Sequence, residues 1–278
     1  MTRRSLLLGS AAMASTAIGY PCFYEPRWLE STERRVRISG AKLQHPIRIL
    51  HLSDLHASFV VPMSLIRHSI GLGLDRKPDI ICLTGDFITF RHDFDAAAYL
   101  GALKQLSAAA PTYAVLGNHD GGNWARWRRG YSDHKFVERL LEDSGIRLLH
   151  NRSESLTVRD QRVTLVGVGD LWSREVDGDR AFAGVRDQEP IVLLAHNPDT
   201  KDKLASFPWG LMLSGHTHGG QVIVQRHGGA RYAPVVDKRY ISGLKPWGTR
   251  QIYVTRGVGN VGGVRFRCRP EVSSLLVG

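Results

Sequence analysis

The chain has 278 residues, 42% of them hydrophobic and 23% charged, with a formal net charge of +11; this suffices for a substantial core and excludes an intrinsically disordered chain. Its three cysteines, Cys22, Cys82 and Cys268, are widely spaced without a C-x-x-C pair, which excludes a thiolate metal cluster and a disulfide framework. The positive balance favours anionic partners such as phosphates or an anionic membrane surface, but the basic residues are scattered rather than blocked, so no binding of nucleic-acid duplexes is expected.

In chain order, the first segment is "MTRRSLLLGSAAMASTAIGYP". The paired Arg3 and Arg4, the apolar run over 6–18 and the small residues around "AMA" resemble a twin-arginine export leader. Residues 1–30 are therefore expected to export the protein to the periplasm or to anchor it to the membrane, although the run is short for a spanning helix. Cys22 follows a proline in "GYPC", unlike a lipid-attachment box.

From about residue 45 short apolar runs alternate with helical segments. "IRILHL", "DIICLTG", "TYAVLG", "VTLVGVG", "IVLLAH" and "LMLSG" read as buried strands, being short, rich in branched residues and ended by turn residues. Helices are expected in "VPMSLIRHSIGLGL", "DFDAAAYLGALKQLSAA" and "SDHKFVERLLEDSG", the last capped by Ser132 and ended by Gly145. After residue 150 strands dominate: "RLLHNRSESLTVRD" and "QRVTLVGVGD" resemble a hairpin, followed by "GGQVIVQ" and "RQIYVTRG". One mixed α/β domain over 45–278 is the economical reading.

What ends each strand carries the chemistry. Asp54 and His56 follow the first run, Asp86 the second, Asn118 and His119 the third, His196 the fifth, and His216 and His218 the sixth. Open α/β sheets place their sites at the carboxyl ends of strands, so these groups could meet in one cleft. Taken singly each has a plain reading, as a turn former, a helix cap or a satisfied buried histidine. An H-x-H pair can converge only in extended or loop backbone, since residues i and i+2 diverge on a helix, and Gly215, Gly219 and Gly220 favour a loop.

The ordered set D-x-H, G-D, G-N-H-D, H and G-H-x-H resembles the calcineurin-like metallophosphoesterase superfamily over residues 45 to the end. Within it, "GDLW", "AHNPD", "GHTHGGQ", "TRGVG" and "RPEV" resemble small bacterial phosphodiesterases that carry a twin-arginine-like leader. The resemblance implies a four-layer αββα sandwich and a centre of two divalent metal ions. Asp54, His56 and His218 would hold one ion, Asn118, His196 and His216 the other, and Asp86 would bridge them. Two cations roughly 3.5–4 Å apart need such a shared anionic ligand. Nitrogen and oxygen donors without thiolate suit manganese, iron or zinc.

The implied reaction is hydrolysis of a phosphodiester or pyrophosphate bond by metal-activated hydroxide. His119, unligated beside Asn118, is the candidate general acid, with Asp120 orienting it. Arg126, Arg128 and Arg129 in "NWARWRRG" read either as a phosphate clamp or as a solvated loop, with Trp124 and Trp127 packing beside them. Two alternatives stand beside this reading. One is a hydrolase resembling UDP-2,3-diacylglucosamine pyrophosphatase, acting on a lipid A precursor, which export would argue against because such precursors are made at the cytoplasmic face. The other is a non-catalytic binding scaffold, disfavoured because all seven ligand positions and His119 are present.

Overall fold

Runs that are apolar at every position become central strands buried on both faces, and with more polar edge strands they form two six-stranded sheets in the computed structural model, which describes residues 19–38, 43–91, 93–223 and 233–278. In the first sheet, β1 (Glu30–Val36) lies beside β12 (Glu271–Val277), followed by β2 (Ile47–Leu52), β3 (Ile80–Thr84), β4 (Thr112–Val115) and β5 (Arg147–Leu148). Strands β2 to β5 run parallel, and β12 is antiparallel to β2. The second sheet has the order β10 (Gly243–Trp247), β11 (Arg250–Val254), β9 (Leu211–Ser214), β8 (Ile191–Leu194), β7 (Gln161–Gly167) and β6 (Arg152–Val158). Its four central strands are parallel and both edges antiparallel.

The two-residue period of a strand sends alternate side chains to opposite faces, and both faces here are apolar. Ile47, Ile49, Ile80 and Cys82 of the first sheet meet Val192, Leu194, Leu211 and Leu213 of the second in a core between the sheets. Leu50, Leu52, Ile81 and Leu83 point the other way, onto helices α1 (Met63–Leu74), α2 (Ala96–Ala109) and α4 (Lys135–Asp143); the short α3 (Gly122–Arg126) precedes α4. The outer face of the second sheet packs Leu193 and Met212 under Phe182, Leu204 and Trp209. There the covering layer consists of the four-residue turns α5 (Gly178–Ala181) and α6 (Thr200–Lys203). This is the expected layered α/β arrangement with a thin fourth layer.

Several boundaries differ from the sequence reading. The sheet begins upstream of residue 45, because Glu30–Val36 pairs in register with Glu271–Val277. Ser132 does not cap α4: His134 occupies the cap position, and Asp133 Oδ1 accepts from Lys135 N at 3.1 Å. The hairpin is β6 and β7 alone, turned by Arg159 and Asp160 at φ 49° and 63°, the two positive φ values of a tight type I′ connection. Its expected leading part, "RLLHN", instead supplies Arg147 and Leu148 to the other sheet. "GGQVIVQ" is not a strand over its described residues; His218–Gly220 is a 3₁₀ turn and Val222 makes a single bridge to Phe266.

The expected leader falls mainly on residues 1–18, which lie outside the described residues. Residues 19–29 pack on the body, where Pro21 O accepts from Arg265 N at 2.9 Å. Among the described residues no helix is long and apolar enough to cross a membrane.

Candidate metal centre and active site

Five parallel strands end at one edge of the sandwich, and the residues following each end turn into a common cleft. Asp54 and His56 follow β2, Asp86 follows β3, Asn118 and His119 follow β4, His196 follows β8, and His216 and His218 follow β9. All eight are buried. The first sheet thus contributes every carboxylate of the set, and the second sheet contributes three imidazoles.

The donor atoms of the seven ligand candidates converge in two groups that share one residue. Ligand atoms of Asp54, His56, Asp86 and His218 lie within 4.8 Å of one another, as do those of Asp86, His196 and His216. Asp86 Oδ2 is 3.4 Å from His56 Nε2 and 3.3 Å from His196 Nε2. His196 Nε2 in turn lies 3.1 Å from Asn118 Oδ1 and 3.1 Å from His216 Nδ1.

Hydrogen positions decide what this convergence means. A carbonyl can only accept, so His196 Nδ1, 2.7 Å from Thr84 O, and His216 Nε2, 3.1 Å from Pro234 O, carry the ring hydrogens. In neutral rings the opposite nitrogens are then lone pairs, and they face each other together with Asn118 Oδ1 and Asp86 Oδ2. Four electron-pair donors in contact demand a positive charge among them. With protein alone, a proton on His196 supplies it: burial by itself would lower this imidazole, but Asp86 outweighs it and raises the pKa to about 10. Burial would raise Asp86, but the charge and hydrogen bond of His196 outweigh it and hold the carboxyl well below the usual range. His216 is depressed to about 3 by burial and by neighbouring His196, and burial drives His218 well below its ordinary value, so both rings are neutral donors. A divalent cation satisfies the same demand for charge, and the residues present fit one.

The backbone is strained where the donors are. Asp54, His56, Asp86, His216 and His218 have φ of 52°, 47°, 55°, 66° and 49°, a left-handed conformation that non-glycine residues rarely adopt and that concentrates at functional sites. Two glycines make room for them. A Cβ at Gly117 would lie 2.2 Å from Asp86 Oδ1, and one at Gly215 would lie 2.2 Å from Asp54 Oδ2.

Asp120 does not orient His119, contrary to the sequence expectation. Its carboxylate accepts from the backbone N–H groups of Asp86 (2.8 Å), Phe87 (2.7 Å) and Gly117 (2.8 Å), tying the loop after β3 to the loop after β4. Burial, then the nearby Asp86 charge, push its pKa up to about 7. His119 is oriented instead by Thr89, whose carbonyl oxygen lies 3.2 Å from Nδ1. Burial depresses His119 to about 4.

The cleft is a cavity of about 220 Å³ lined by Asp86, Asn118, His119 and His216 with Trp124 and Trp172. Trp124 packs edge-on to His119 at 4.6 Å between ring centroids, and Trp172 to His216 at 4.2 Å; the two indoles are 5.6 Å apart. Arg126, Arg128 and Arg129 do not line the cavity. Arg128 stacks on Trp124 at 4.1 Å and Arg126 on Trp127 at 4.8 Å.

Sequence reasoning missed the supports. Thr84, Thr89 and Pro234 fix three rings through backbone carbonyls, and any residue type offers such a carbonyl. Arg265 is fully buried, donates to the carbonyls of Arg256 (2.8 Å), Gly257 (3.2 Å) and Cys268 (3.1 Å), and lies 3.5 Å from His218 Nδ1. In "VRFRCRP" it looks like one more surface charge.

Comparison with known proteins agrees with this geometry. The chain matches the calcineurin-like phosphoesterase family over residues 47–220. It is 40% identical to phosphodiesterase YaeI of Escherichia coli over 277 residues, covering 99% of this chain and 98% of that protein. It is 30% identical to the metallophosphoesterase YkuE of Bacillus subtilis, covering 98% and 96%. It is 27% identical to the UDP-2,3-diacylglucosamine pyrophosphatase LpxG of Chlamydia muridarum, covering 82% of each. The chain belongs to the calcineurin-like phosphoesterase family and is a phosphoester hydrolase whose buried Asp/His cluster suits divalent metal ions.

Proposed function

We propose that the protein hydrolyses a phosphodiester, or the equivalent pyrophosphate bond, with two divalent cations in the cleft. Asp54, His56, Asp86 and His218 hold one cation, and Asp86, Asn118, His196 and His216 the other. The observation that carries this reading is the placement of Asp86 Oδ2 between His56 Nε2 and His196 Nε2, at 3.4 and 3.3 Å. Bound there, cations such as manganese, iron or zinc supply Lewis-acid polarisation of a phosphoryl oxygen and acidify water.

The chain's own residues do the rest. Neutral His119 keeps its hydrogen on Nδ1 toward Thr89 O, which leaves Nε2 as a lone pair. With Thr89 O holding the ring in place, His119 protonated at Nε2 would deliver that proton to the leaving oxygen. Trp124 and Trp172 wall the cavity and restrict water access to the reacting atoms. The names of the relatives, a phosphodiesterase and a UDP-2,3-diacylglucosamine pyrophosphatase, support such substrates. The leader over 1–30 is proposed to export or anchor the protein, which cell fractionation of the Arg3→Lys/Arg4→Lys chain tests.

The deciding experiment is metal-depleted protein titrated with manganese, iron or zinc and assayed on an aryl phosphodiester, an aryl monoester, a cyclic nucleotide and UDP-2,3-diacylglucosamine. Two bound cations per chain with diester or pyrophosphate turnover is the expected result. Uptake of no cation, or preference for the monoester, overturns it.

A further inference from the structure

One loop separates the cleft from a second surface. Val261 lines the catalytic cavity, while its neighbours Asn260, Gly262 and Gly263 line a second depression together with Phe23 and Phe59. Gln221 joins the two: its side chain donates to Val261 O at 2.7 Å, and its carbonyl accepts from Phe266 N at 3.0 Å. Rings continue from Phe266 to Tyr20 at 6.5 Å, from Tyr20 to Tyr24 at 5.7 Å, and from Tyr24 to Trp28 at 5.4 Å.

These rings are unusually open to solvent. Phe59 is 77% exposed, Phe23 67%, Tyr24 57% and Trp28 43%, and a contiguous apolar patch of this kind marks an interaction surface. The charges stacked on its rings are cationic. Arg269 stacks on Trp28 at 3.9 Å and Arg267 on Phe266 at 5.3 Å, with Arg27 exposed beside Phe23. Of the acids at this face, Glu25 is buried, Glu30 is ion-paired to Arg256 at 2.9 Å, and Asp93 lies against the Phe59 backbone, so Arg27, Arg267 and Arg269 leave the balance positive. The apolar run over 6–18 leads directly into this face at Gly19.

We infer that the face formed by Tyr20, Phe23, Tyr24, Trp28 and Phe59 docks on an anionic lipid bilayer, holding the mouth of the cleft at the membrane surface. Tyrosine and tryptophan settle at the headgroup level, phenylalanine inserts below it, and arginine meets anionic headgroups. A second copy of the chain would cover the rings too, but self-association would bring Arg27, Arg267 and Arg269 against their own kind. A negatively charged bilayer complements them. The docking itself does not depend on the phosphodiesterase reading; only its consequence, preferred access to esters carried at the interface, rests on it.

The test is co-sedimentation of the full chain with vesicles of phosphatidylglycerol and phosphatidylcholine in equal parts, against phosphatidylcholine alone. Binding to the anionic vesicles is expected, and Phe23→Ser/Phe59→Ser should weaken it at least about tenfold. Neither residue lines the cleft, so turnover of a water-soluble aryl diester is retained. Quenching by brominated lipid gives an independent measure: the unmodified chain should lose more tryptophan fluorescence than Trp28→Phe. Binding unchanged in the double variant would assign the membrane contact to the leader alone and overturn the inference. So would indifference to anionic lipid, equal quenching in both chains, or a stable dimer that the double variant dissociates.

Discussion

Among the described residues, two clusters of histidines and acids are built on opposite principles. In the cleft, nitrogen and oxygen donors crowd around Asp86 and are held together only by an added positive charge, a proton on His196 or a cation in its place, and five of the residues sit at positive φ. Elsewhere in the chain, His134 Nε2 instead meets Glu175 at 2.9 and 3.0 Å, a donor facing an acceptor, with His150 Nε2 4.0 Å from the same carboxylate. None of these three residues has a positive φ. The first cluster is incomplete without added positive charge, and the second already joins His134 Nε2 to the Glu175 carboxylate. Residue type does not distinguish them; the direction in which lone pairs point does.

Asp86→Asn breaks the comparison most severely. It keeps the side-chain volume but removes the charge shared by both halves of the cluster, so turnover of an aryl diester should fall by on the order of 10³ or more, with loss of bound cation. Glu175→Gln, the matching change in the paired cluster, should leave metal content and turnover within about twofold. Metal analysis and kcat on the two variants check both expectations. Equal metal loss in both would remove the distinction.

Glycines beside each cluster give a gentler version. In Gly117→Ala the new methyl would sit against Asp86 Oδ1, displacing a shared ligand, and metal affinity should drop roughly 10–100-fold. In Gly122→Ala the methyl meets Glu175 Oε1 at 2.9 Å and the φ is 80°, so the cost is to stability, about 1 kcal/mol. Metal titration should separate them cleanly.

Asp120→Asn sharpens the account of the cleft itself. Asp120 holds the loops of Asp86 and Gly117, so its amide variant should lower metal affinity and kcat together, by about 10–100-fold. If it oriented His119 instead, metal content would stay constant and the pH profile would change. Cation stoichiometry measured beside the pH profile decides.

Much of this site was legible because parallel strands buried on both faces read as unbroken apolar runs, and their ends are unmistakable. Asp54, Asp86, Asn118, His196 and His216 could be placed from that rule alone. The edge of the first sheet was hidden for the opposite reason: β1 reads "ESTERRV" and β12 contains Ser273 and Ser274, which look like loop. Ser273 is nevertheless buried, its oxygen 3.1 Å from the Tyr253 hydroxyl and 3.1 Å from Thr255 Oγ1. Pairings of that kind join residues distant in the chain. The role of Asp120 was misread because adjacency in "GNHD" suggested contact with His119, whereas the turn points its carboxylate at backbone N–H groups.

The smallest expected effect lies in the paired cluster and depends on pH. Burial opposes a charge on His134, but the hydrogen bond and charge of Glu175, with lesser help from Asp120 and Glu138, outweigh it and raise the imidazole above its ordinary 6.5. His150 packs 5.8 Å from it, and burial lowers that ring. A histidine whose folded pKa is raised binds its proton more tightly in the native state, so its contribution is fully present below pH 6.5 and fades as pH rises through the folded value. Denaturation midpoints of the unmodified chain and His134→Gln should therefore differ by about 1 kcal/mol at pH 6 and converge in mildly alkaline buffer. A gap that widens with pH would mean that His134 is held neutral. The positive charge that pairs this cluster would then be absent, and its contrast with the cleft would fail.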